Sequence, residues 1–383
     1  MHNTPNFHVV RPLLFVNQSV GPLFSSLVSL FRQHFHLHLF TGISYRNKSF
    51  LSRMFTWGIF TLHLFFFLLF CGHRFHKLLI VSNPPFAPLL ATFARRPYVL
   101  LLYDLYPHVL YQFNTKKPLL RFFLSILINI WHSFNSRVFS RADRVFTLTD
   151  SMADQLRPYF ASEALWHDRV VVVPPWSDTD IISSNPSASS EFRLKYGVEG
   201  LLLTYSGNLG LTHPLEELLE ATSQLCALSS PPCFHVLIIG DGQKRLRLQK
   251  QALSLDLPLF NLRFLDRLPF NELAASLSAA DFAIVALDES ASFASLPSKA
   301  FNALACGTPL LVLANFHSSI AQLVRKYHCG VVIEPDCNAR RRLVETIIYF
   351  SSNPSELHQL SSNAISASFH FTSKNAERFL DSW

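Results

Sequence analysis

The feature that most constrains this chain is a repeated alternation of short apolar runs with helical stretches. Apolar runs that end at turn residues and are separated by helices predict βαβ units in a parallel sheet. Six such runs occupy the first half of the chain: Val9–Val16, Leu37–Thr41, Lys77–Val81, Tyr98–Tyr103, Arg144–Leu148 and Arg169–Val173. A second series begins at Leu201 and ends at Ile333, so the same pattern occurs twice.

The length of 383 residues suits two domains, each large enough for its own core. A Ser-, Asp-, Asn- and Pro-rich stretch separates the two series and predicts a linker over residues 177–195. We therefore expect an N-terminal Rossmann-like domain over residues 1–176 and a C-terminal one over residues 196–365. A last helix within residues 366–383 is expected to fold back towards the N-terminal domain. The predicted fold class is α/β, with the two domains facing across a cleft.

Charge is distributed unevenly along the chain. Up to Pro175 there are 17 Lys and Arg against 6 Asp and Glu, whereas the remainder has 16 against 20. A basic first half suits an anionic lipid surface or a phosphate-bearing substrate, with roughly 1 kcal/mol of attraction per basic residue at an anionic bilayer. An ordinary solvated basic face is the alternative. Without a basic helix or an aromatic RNA-binding motif, nucleic acid is not an expected partner.

One apolar run, Met54–Cys71, is about 18 residues long. It is compatible with a spanning helix, a buried core helix or a helix lying in the membrane interface. The strand pattern continues on both sides, and one sheet cannot be assembled across a bilayer, so an interfacial helix is preferred. Its flanking basic residues, which include Arg53 and Arg74, would then meet lipid phosphates.

Cysteine and histidine usage gives no metal signature. The six cysteines form no CxxC pair, which favours free thiols in a reducing compartment. His34, His36 and His38 alternate along a predicted strand and would share one face, where three imidazoles can bind zinc. With 17 histidines in the chain, composition is the simpler explanation. We therefore expect no bound metal. No export signal is visible, so we expect a cytoplasmic location.

Two glycine-containing turns follow neighbouring predicted strands of the second half. The first is YSGNLG, Tyr205–Gly210, and the second is Gly240-Asp241-Gly242. Small residues between a strand and a helix allow backbone N–H groups to approach a phosphate. A plain tight turn explains either motif alone. Their occurrence on neighbouring strands favours one shared ligand surface.

A third motif is LPSKAFNALACGTPLL, Leu296–Leu311. Pro297 and Ser298 predict the start of a helix, with Ser298 as its N-cap and Lys299 in its first turn. A lysine in the first turn opposes the helix dipole, so a bound diphosphate would account for it. A solvent-exposed lysine is the alternative.

These motifs, in this order, resemble the family 4 glycosyltransferases of the GT-B fold. The closest resemblance is to the bacterial subgroup that builds capsular, O-antigen and colanic-acid-like polysaccharides. Further matching pieces are SNPPFAPLL, YDLYP, SRADRVFTLTDSM and VVVPPWSDTD in the first half and FLDRLPFNEL, SAADFAIVAL and CGVVIEP in the second. The resemblance covers most of the chain, and ACGTP after a helix that starts with PSK is its most specific part.

The resemblance implies a donor nucleotide held mainly by the second domain. Diphosphate, base and ribose contacts would come from the following positions: Gly207, Asn208, Gly210, His213, Gly240, Gly242, Asp266, Arg267, Leu268, Ser298, Lys299 and Asn302. Many relatives place Arg and Lys where this chain has Asn208 and His213. Many also carry two glutamates where it has Ala294 and Asn302; Asn302 can still hydrogen-bond ribose hydroxyls.

On the first-domain side, Asp104 and His108 follow a predicted strand end and are candidates for acid or base catalysis. Gly21 stands in the place of the family's first glycine loop, which approaches the acceptor or the donor phosphates. Lys299 is the third predicted catalytic residue, because a cation there stabilises the leaving diphosphate.

The predicted function is a retaining glycosyltransferase that moves a sugar from a nucleotide diphosphate to a lipid-linked saccharide at the inner face of the cytoplasmic membrane. Its nucleotide sugar is a co-substrate, and no cofactor is expected. A non-catalytic GT-B protein that binds nucleotide sugars or scaffolds a membrane assembly is the main alternative. A nucleotide-sugar epimerase on the same fold is a weaker one.

Overall fold

The computed structural model describes residues 12–18, 22–42, 50–107, 118–177, 182–289, 292 and 296–383. The chain divides into two compact units. Unit 1 contains Met1–Pro174 together with Ala376–Trp383, and unit 2 contains Pro175–Asn375.

Unit 1 is built on a six-stranded sheet in which all strands are parallel. The strands are β1 Pro12–Val16, β2 His36–Phe40, β3 Lys77–Val81, β4 Tyr98–Leu101, β5 Arg144–Thr147 and β6 Val170–Val172. Their order across the sheet is β2-β1-β3-β4-β5-β6. Because the order reverses between β1 and β3, the carboxyl ends of these strands form the position where open α/β sheets bind ligands.

The helices of unit 1 cover both faces of this sheet, as parallel strands require. They are α1 Pro22–His34, α2 Phe50–Cys71, α3 Pro118–Phe139, α4 Asp150–Leu156 and α5 Glu163–Arg169, with a 3-10 segment over Ala87–Ala94. The segment Met54–Arg74 is long and apolar enough to cross a membrane by length and composition alone. One stripe of α2 packs into the unit, since Phe60, Leu64 and Leu68 are buried.

Unit 2 also contains six parallel strands, β7 Leu201–Ser206, β8 Phe234–Ile239, β9 Leu262–Leu265, β10 Phe282–Ala286, β11 Leu310–Leu313 and β12 Gly330–Ile333. Their order is β12-β11-β10-β7-β8-β9. In chain order this is 3-2-1-4-5-6, the arrangement of dinucleotide-binding Rossmann sheets, with the switch point between β7 and β10. The sequence predicted the strands of both sheets to within a few residues, because strands buried on both faces are nearly uninterrupted apolar runs.

The helices of unit 2 are α6 Pro186–Lys195, α7 Glu216–Cys226, α8 Arg245–Ser254, α9 Phe270–Ala279, α10 Lys299–Ala305, α11 Ser319–Tyr327, α12 Ala339–Ser352 and α13 Pro354–Ser368. A last helix, α14 Glu377–Asp381, belongs to unit 1. There Phe379 is buried and its ring lies 4.6 Å from that of Phe146 on β5.

The segment expected to be a linker, residues 177–195, differs from that expectation. Its second half forms α6, which is part of unit 2. The Asn185 side chain caps the helix by accepting a hydrogen bond from the Ala188 N–H, and Pro186 occupies its first turn. Phe192 anchors it in a cluster with Leu202 and Leu237 of the sheet.

Truncation of Phe192 tests how strongly α6 is integrated into unit 2. Phe192 is 3% exposed, whereas Leu194 on the same helix is 81% exposed. We expect Phe192→Ala to lower the free energy of unfolding by about 3–5 kcal/mol and Leu194→Ala to change it by about 0.5 kcal/mol or less. Urea denaturation followed by circular dichroism measures both. Equal effects of the two substitutions would contradict the assignment of α6 to the core of unit 2.

Candidate functional site

The turn after β7 lies at the switch point of unit 2. Gly207 follows the strand directly with a φ of +148°, and its N–H donates to the Ile239 carbonyl at the end of β8 (2.9 Å). The Tyr205 hydroxyl donates to the Asn208 carbonyl at 2.7 Å and so fixes the backbone of the turn. The loop therefore runs close over the carboxyl ends of both strands.

The turn after β8 packs directly on this first turn. Gly240 has a φ of +133°, and a Cβ atom built on it would collide with the Gly207 carbonyl oxygen. A Cβ on Gly242 would lie 2.5 Å from the Leu209 carbonyl oxygen. Only glycine fits at such close approaches. The two predicted phosphate turns are thus one continuous backbone surface.

Lys299, the first residue of α10, reaches this surface from the other side of the switch point. Its ammonium lies 3.7 Å from the centre of the Tyr205 ring, and its side chain lies beside Gly207, where an added Cβ would be 3.9 Å from Nζ. Burial lowers the pKa of Lys299 to about 7. A desolvated ammonium beside Gly207, in the first of two packed glycine turns, is a site that a diphosphate would complete, since an anion there offsets the cost of burial.

His213 closes the same site from the loop before α7. Its Nδ1 hydrogen-bonds the Ala286 carbonyl at the end of β10 (2.6 Å). Burial lowers the pKa of His213 to about 4, and the nearby Lys299 charge acts in the same direction. The imidazole is therefore neutral at neutral pH. Many members of the resembling family carry a cation at this position, whereas this chain has a neutral ring whose Nε2 remains as a hydrogen-bond acceptor.

Two basic residues hold the turns in place, and neither was a predicted site residue. The Lys244 ammonium is buried, and it pairs with Glu216 (2.6 Å) and donates to the His213 carbonyl (2.9 Å). Arg245 donates to the Gly240 carbonyl (2.6 Å) and pairs with Asp266 (2.8 Å). Their charges are used inside the protein, so they position the loops. The sequence showed them only as basic residues after a glycine turn.

The predicted base-contacting segment lies at the end of β9. Asp266 is held by Arg245, while its carboxylate and the Arg267 side chain are exposed to solvent. Leu268 is half-buried and packs against the cluster that contains Phe192. Asn208 is exposed, and Gly210 lies between the side chains of Asn208 and His213. These residues border the two turns, and their contacts with a nucleotide remain predictions.

The prediction that the Ser298 side chain caps α10 is wrong. Ser298 precedes the helix with helical backbone angles (φ −59°, ψ −26°), and its side chain makes no capping hydrogen bond. An N-cap side chain reaches the next turn from an extended backbone, so a residue already in the helical conformation points elsewhere. The Ser298 side chain is exposed.

Asn302, expected to contact ribose, already has a partner within unit 2. Its Oδ1 accepts a hydrogen bond from the Ser177 hydroxyl at 3.0 Å, and Ser177 is buried. The side-chain N–H groups of Asn302 are the part that can serve a ribose. Ser177 was not a predicted site residue. It directly follows VVVPPW, part of a segment that carries the family resemblance, and that position is the signal by which it could have been found. Ala294 lies outside the described residues.

In unit 1, the predicted catalytic Asp104 lies just beyond β4. Its N–H approaches the Ser82 hydroxyl, which also accepts from the Tyr103 N–H at 2.9 Å. The Tyr103 hydroxyl and both polar side-chain atoms of Gln18 are buried and have no hydrogen-bond partner among the described residues. His108 and Gly21, the other predicted residues on this side, lie outside the described residues.

Two further observations limit where ligands bind. Within the part of the chain that the structure describes, no group of three or more His, Cys, Asp or Glu could hold a metal ion. His36 and His38 are exposed with their rings 4.7 Å apart. A cavity of about 520 Å³ lies at the opposite, amino edge of the unit 2 sheet, near Gly200 and Cys233. Ligands of open α/β sheets bind at the carboxyl edge, so this cavity is not the candidate site.

Comparison with known proteins finds a family model that is similar to the second half of the chain. Residues 190–367 match the family described as glycosyl transferases group 1. The chain is 27% identical over 198 residues to a protein of Escherichia coli (strain K12) named for glycosyl transfer in colanic acid biosynthesis, a match that covers 51% of this chain and 46% of that protein. It is 26% identical over 280 residues to a Pseudomonas aeruginosa protein named as a glycosyltransferase, covering 70% and 64%. The matches thus span less than two thirds of each relative.

Solved structures show the same architecture. Anabaena Alr3699/HepE, in complex with UDP and glucose, superposes with a TM-score of 0.70 at 17% identity and covers 97% of this chain and 98% of its own. Sucrose-phosphate synthase of Thermosynechococcus elongatus gives a TM-score of 0.73 at 15% identity with the same coverage. At such identities the similarity concerns the fold. It confirms the predicted α/β class of two Rossmann-like units, the GT-B fold.

The buried His213 predicts a specific acid sensitivity. Its folded-state pKa of about 4 lies below the ordinary value of 6.5, so the unfolded chain binds more protons between these pH values. The stability that neutral His213 contributes is present above pH 6.5 and is lost as the pH falls towards 4. We expect His213→Gln, which can still donate to the Ala286 carbonyl, to lose less stability than the wild type between pH 7 and pH 4.5. Urea denaturation at the two pH values measures this difference; identical losses would contradict the burial of a neutral ring.

Proposed function

We propose that this protein is a glycosyltransferase that uses a nucleotide-diphosphate sugar, and the match of residues 190–367 to the family described as glycosyl transferases group 1 supports this proposal. The observation that carries the proposal is the convergence of the Lys299 ammonium on the paired glycine turns after β7 and β8. This convergence lies at the switch point of a sheet with the Rossmann strand order. The Escherichia coli relative, which is named for colanic acid biosynthesis, favours a cell-surface polysaccharide as the product.

In the proposed donor complex, the diphosphate lies over the Gly207 and Gly240 turns. Backbone N–H groups and the Lys299 ammonium neutralise its charge. His213 donates its Nδ1–H to the Ala286 carbonyl, so its Nε2 can accept one hydrogen bond from a hydroxyl. The base approaches the backbone at residues 266–268, and the Asn302 amide N–H groups face the ribose. The bound UDP and glucose of the Anabaena protein support a nucleotide sugar of this kind as donor.

The proposed reaction breaks the bond between the anomeric carbon and the diphosphate and forms a bond from that carbon to an acceptor hydroxyl. Lys299 stabilises the negative charge that develops on the leaving diphosphate. We propose retention of configuration, with attack from the same face, so that the leaving phosphate oxygen takes the proton of the acceptor hydroxyl. Asp104 of unit 1 is the proposed acid-base or acceptor-binding residue, together with His108 and Gly21, which lie outside the described residues.

We propose a lipid-linked saccharide as the acceptor and the inner face of the cytoplasmic membrane as the location. The basic first half of the chain supports an anionic surface as partner. A non-catalytic protein that binds nucleotide sugars is the second candidate, favoured by neutral His213 where relatives carry a cation. Adding membrane lipid extract separates the two, because a transferase releases nucleoside diphosphate whereas a binding protein does not.

Removal of the Lys299 charge tests the donor site. We expect Lys299→Met to weaken donor binding by about 100-fold, which corresponds to about 2.7 kcal/mol for a charge-assisted contact, without unfolding the protein. A thermal-shift screen against uridine, guanosine and thymidine diphosphate sugars identifies the donor, because a bound ligand raises the melting temperature. Lys250→Met, at an exposed position on α8, is the control. Normal donor binding by Lys299→Met would overturn the phosphate assignment.

Donor affinity is also expected to depend on pH in a defined direction. The pKa of Lys299 is about 7 without ligand, and a bound diphosphate raises it. Affinity is therefore highest below pH 7 and falls by up to about tenfold per pH unit above it, until the pKa of the complex is reached. Calorimetric titration at pH 6.5, 7.5 and 8.5 measures this fall. A nucleotide sugar has no phosphate group that titrates in this range, so Lys299→Met should bind with a flat pH profile; a matching slope in the variant would assign the effect to another group.

A further inference from the structure

The outer face of α2 is as apolar as its buried face. Phe60, Leu64 and Leu68 are packed inside unit 1, and the Phe60 ring lies 5.4 Å from that of Phe40 on β2. On the opposite side, large apolar side chains recur every three or four residues and are 45–70% exposed: Phe55, Ile59, Leu62, Phe66 and Phe70. We call these five residues the α2 stripe. Such a face, left in water, marks an interaction site.

Helix α3 carries a second stripe of the same kind. Ile128, Val138 and Phe139 are buried. The outer residues are 48–62% exposed and form the α3 stripe: Phe122, Phe123, Leu127, Ile130 and Phe134. Only the first of the two helices is evident as an apolar run in the sequence, because α3 also contains Asn and Ser residues and its apolar face is visible only once the buried side is known.

The two stripes border the same piece of unit 1, the 3-10 segment Ala87–Ala94. Phe65 of α2 contacts Phe93 of this segment at 5.0 Å between ring centres. Trp131 of α3 stacks on Phe86, just before the segment, at 4.7 Å. Phe93 is itself 45% exposed. The exposed apolar area therefore extends from α2 across Phe93 to α3.

Charge indicates which partner this area fits. His73 and Arg74 follow α2, Arg95 and Arg96 follow the 3-10 segment, and all four are exposed. Neither helix contains an acidic residue. In the sequence, Asp104 is the single acidic residue before Asp143. Apolar side chains bordered by cations, with almost no carboxylates, match the hydrocarbon boundary and phosphates of an anionic bilayer. An ordinary solvent-exposed protein surface would carry both acidic and basic side chains.

The packing of α2 also decides how it meets the bilayer. A spanning helix would take Phe60, Leu64 and Leu68 out of the core of unit 1 and expose Phe40 on β2. A helix that lies in the interface keeps these contacts and buries only its outer stripe. Helix α3 packs beside the same 3-10 segment. If α2 lies in the interface, the α3 stripe can contact the bilayer as well, whereas a spanning α2 would leave the α3 stripe without a role.

We propose that the α2 stripe, Phe93 and the α3 stripe form one surface that docks this protein on an anionic lipid bilayer, with both helices in the plane of the interface. The inference rests on the proposed function, because it names the membrane that would present the lipid-linked acceptor. It adds α3 to the docking surface and assigns α2 an interfacial position.

The test uses the full chain, added to preformed vesicles of phosphatidylcholine with 30% phosphatidylglycerol, and measures the bound fraction by flotation. One variant changes the α2 stripe, Leu62→Glu with Phe70→Glu, and another the α3 stripe, Phe122→Glu with Leu127→Glu. The matched control, Leu253→Glu with Leu259→Glu, changes two leucines of unit 2 that are 76% and 81% exposed. We expect each stripe variant to bind at least about tenfold more weakly than wild type and control, and the wild type to bind neutral vesicles more weakly.

Three outcomes would overturn the proposal: unchanged vesicle binding in both stripe variants, an effect of one stripe only, or wild-type protein that resists alkaline carbonate extraction as a spanning protein does. Dissociation of a dimer by the variants, with vesicle binding unaffected, would assign the surface to a second copy of the chain. Donor binding by thermal shift, measured on the same preparations, keeps the proposed function separate. A stripe variant that binds the donor but not vesicles supports the inference, whereas wild type that binds no donor contradicts the proposed function alone.

Discussion

The contact between two glycine turns at the carboxyl edge of the unit 2 sheet is the constraint on which the candidate site depends. Gly240 rests against the Gly207 carbonyl, and no side chain fits between them. This contact follows from the parallel register of β7 and β8, in which Ser206 is paired with Ile239, so that both strands end at the same level. A shift of one residue would separate the two turns.

Lys299 illustrates how a binding site is maintained at the expense of local stability. Its ammonium lies over the Tyr205 ring, and burial alone accounts for its lowered pKa. Nearby cations are arranged differently: Lys244 is paired with Glu216, and Arg245 with Asp266. The cations that hold the loops are thus paired with carboxylates, whereas Lys299 is paired with no carboxylate among the described residues and has the charge that a ligand phosphate would neutralise. Such strain at a site is common where a ligand supplies the missing partner.

The sequence predicted the parts of this architecture that have local causes. Parallel strands are apolar runs, and glycines after strands mark close approach, so both sheets and both turns followed from the sequence and from the resemblance. The Lys244–Glu216 pair and the Tyr205–Lys299 contact join residues 28 and 94 positions apart, as their numbers show, and no local pattern encodes them. Helix α6 was missed because its polar composition suggests a loop, although Asn185-Pro186 is a helix-start signal. The predicted Ser298 cap was wrong because a serine can cap a helix only when its own backbone is extended, and the residue type does not determine that conformation.

The two apolar faces of α2 have a consequence for biosynthesis. Until β2 covers its inner side, the helix emerging from the ribosome presents hydrophobic side chains in all directions, as a membrane-inserted segment does. The strand that carries Phe40 precedes α2 in the chain, whereas β3 and β4 follow it. The first βαβ unit, β1-α1-β2, therefore precedes α2 and can cover the inner side of the helix as soon as it forms. Residues that speed the pairing of β1 with β2 would shorten the time for which both apolar faces of α2 are exposed, without touching either a ligand or a lipid.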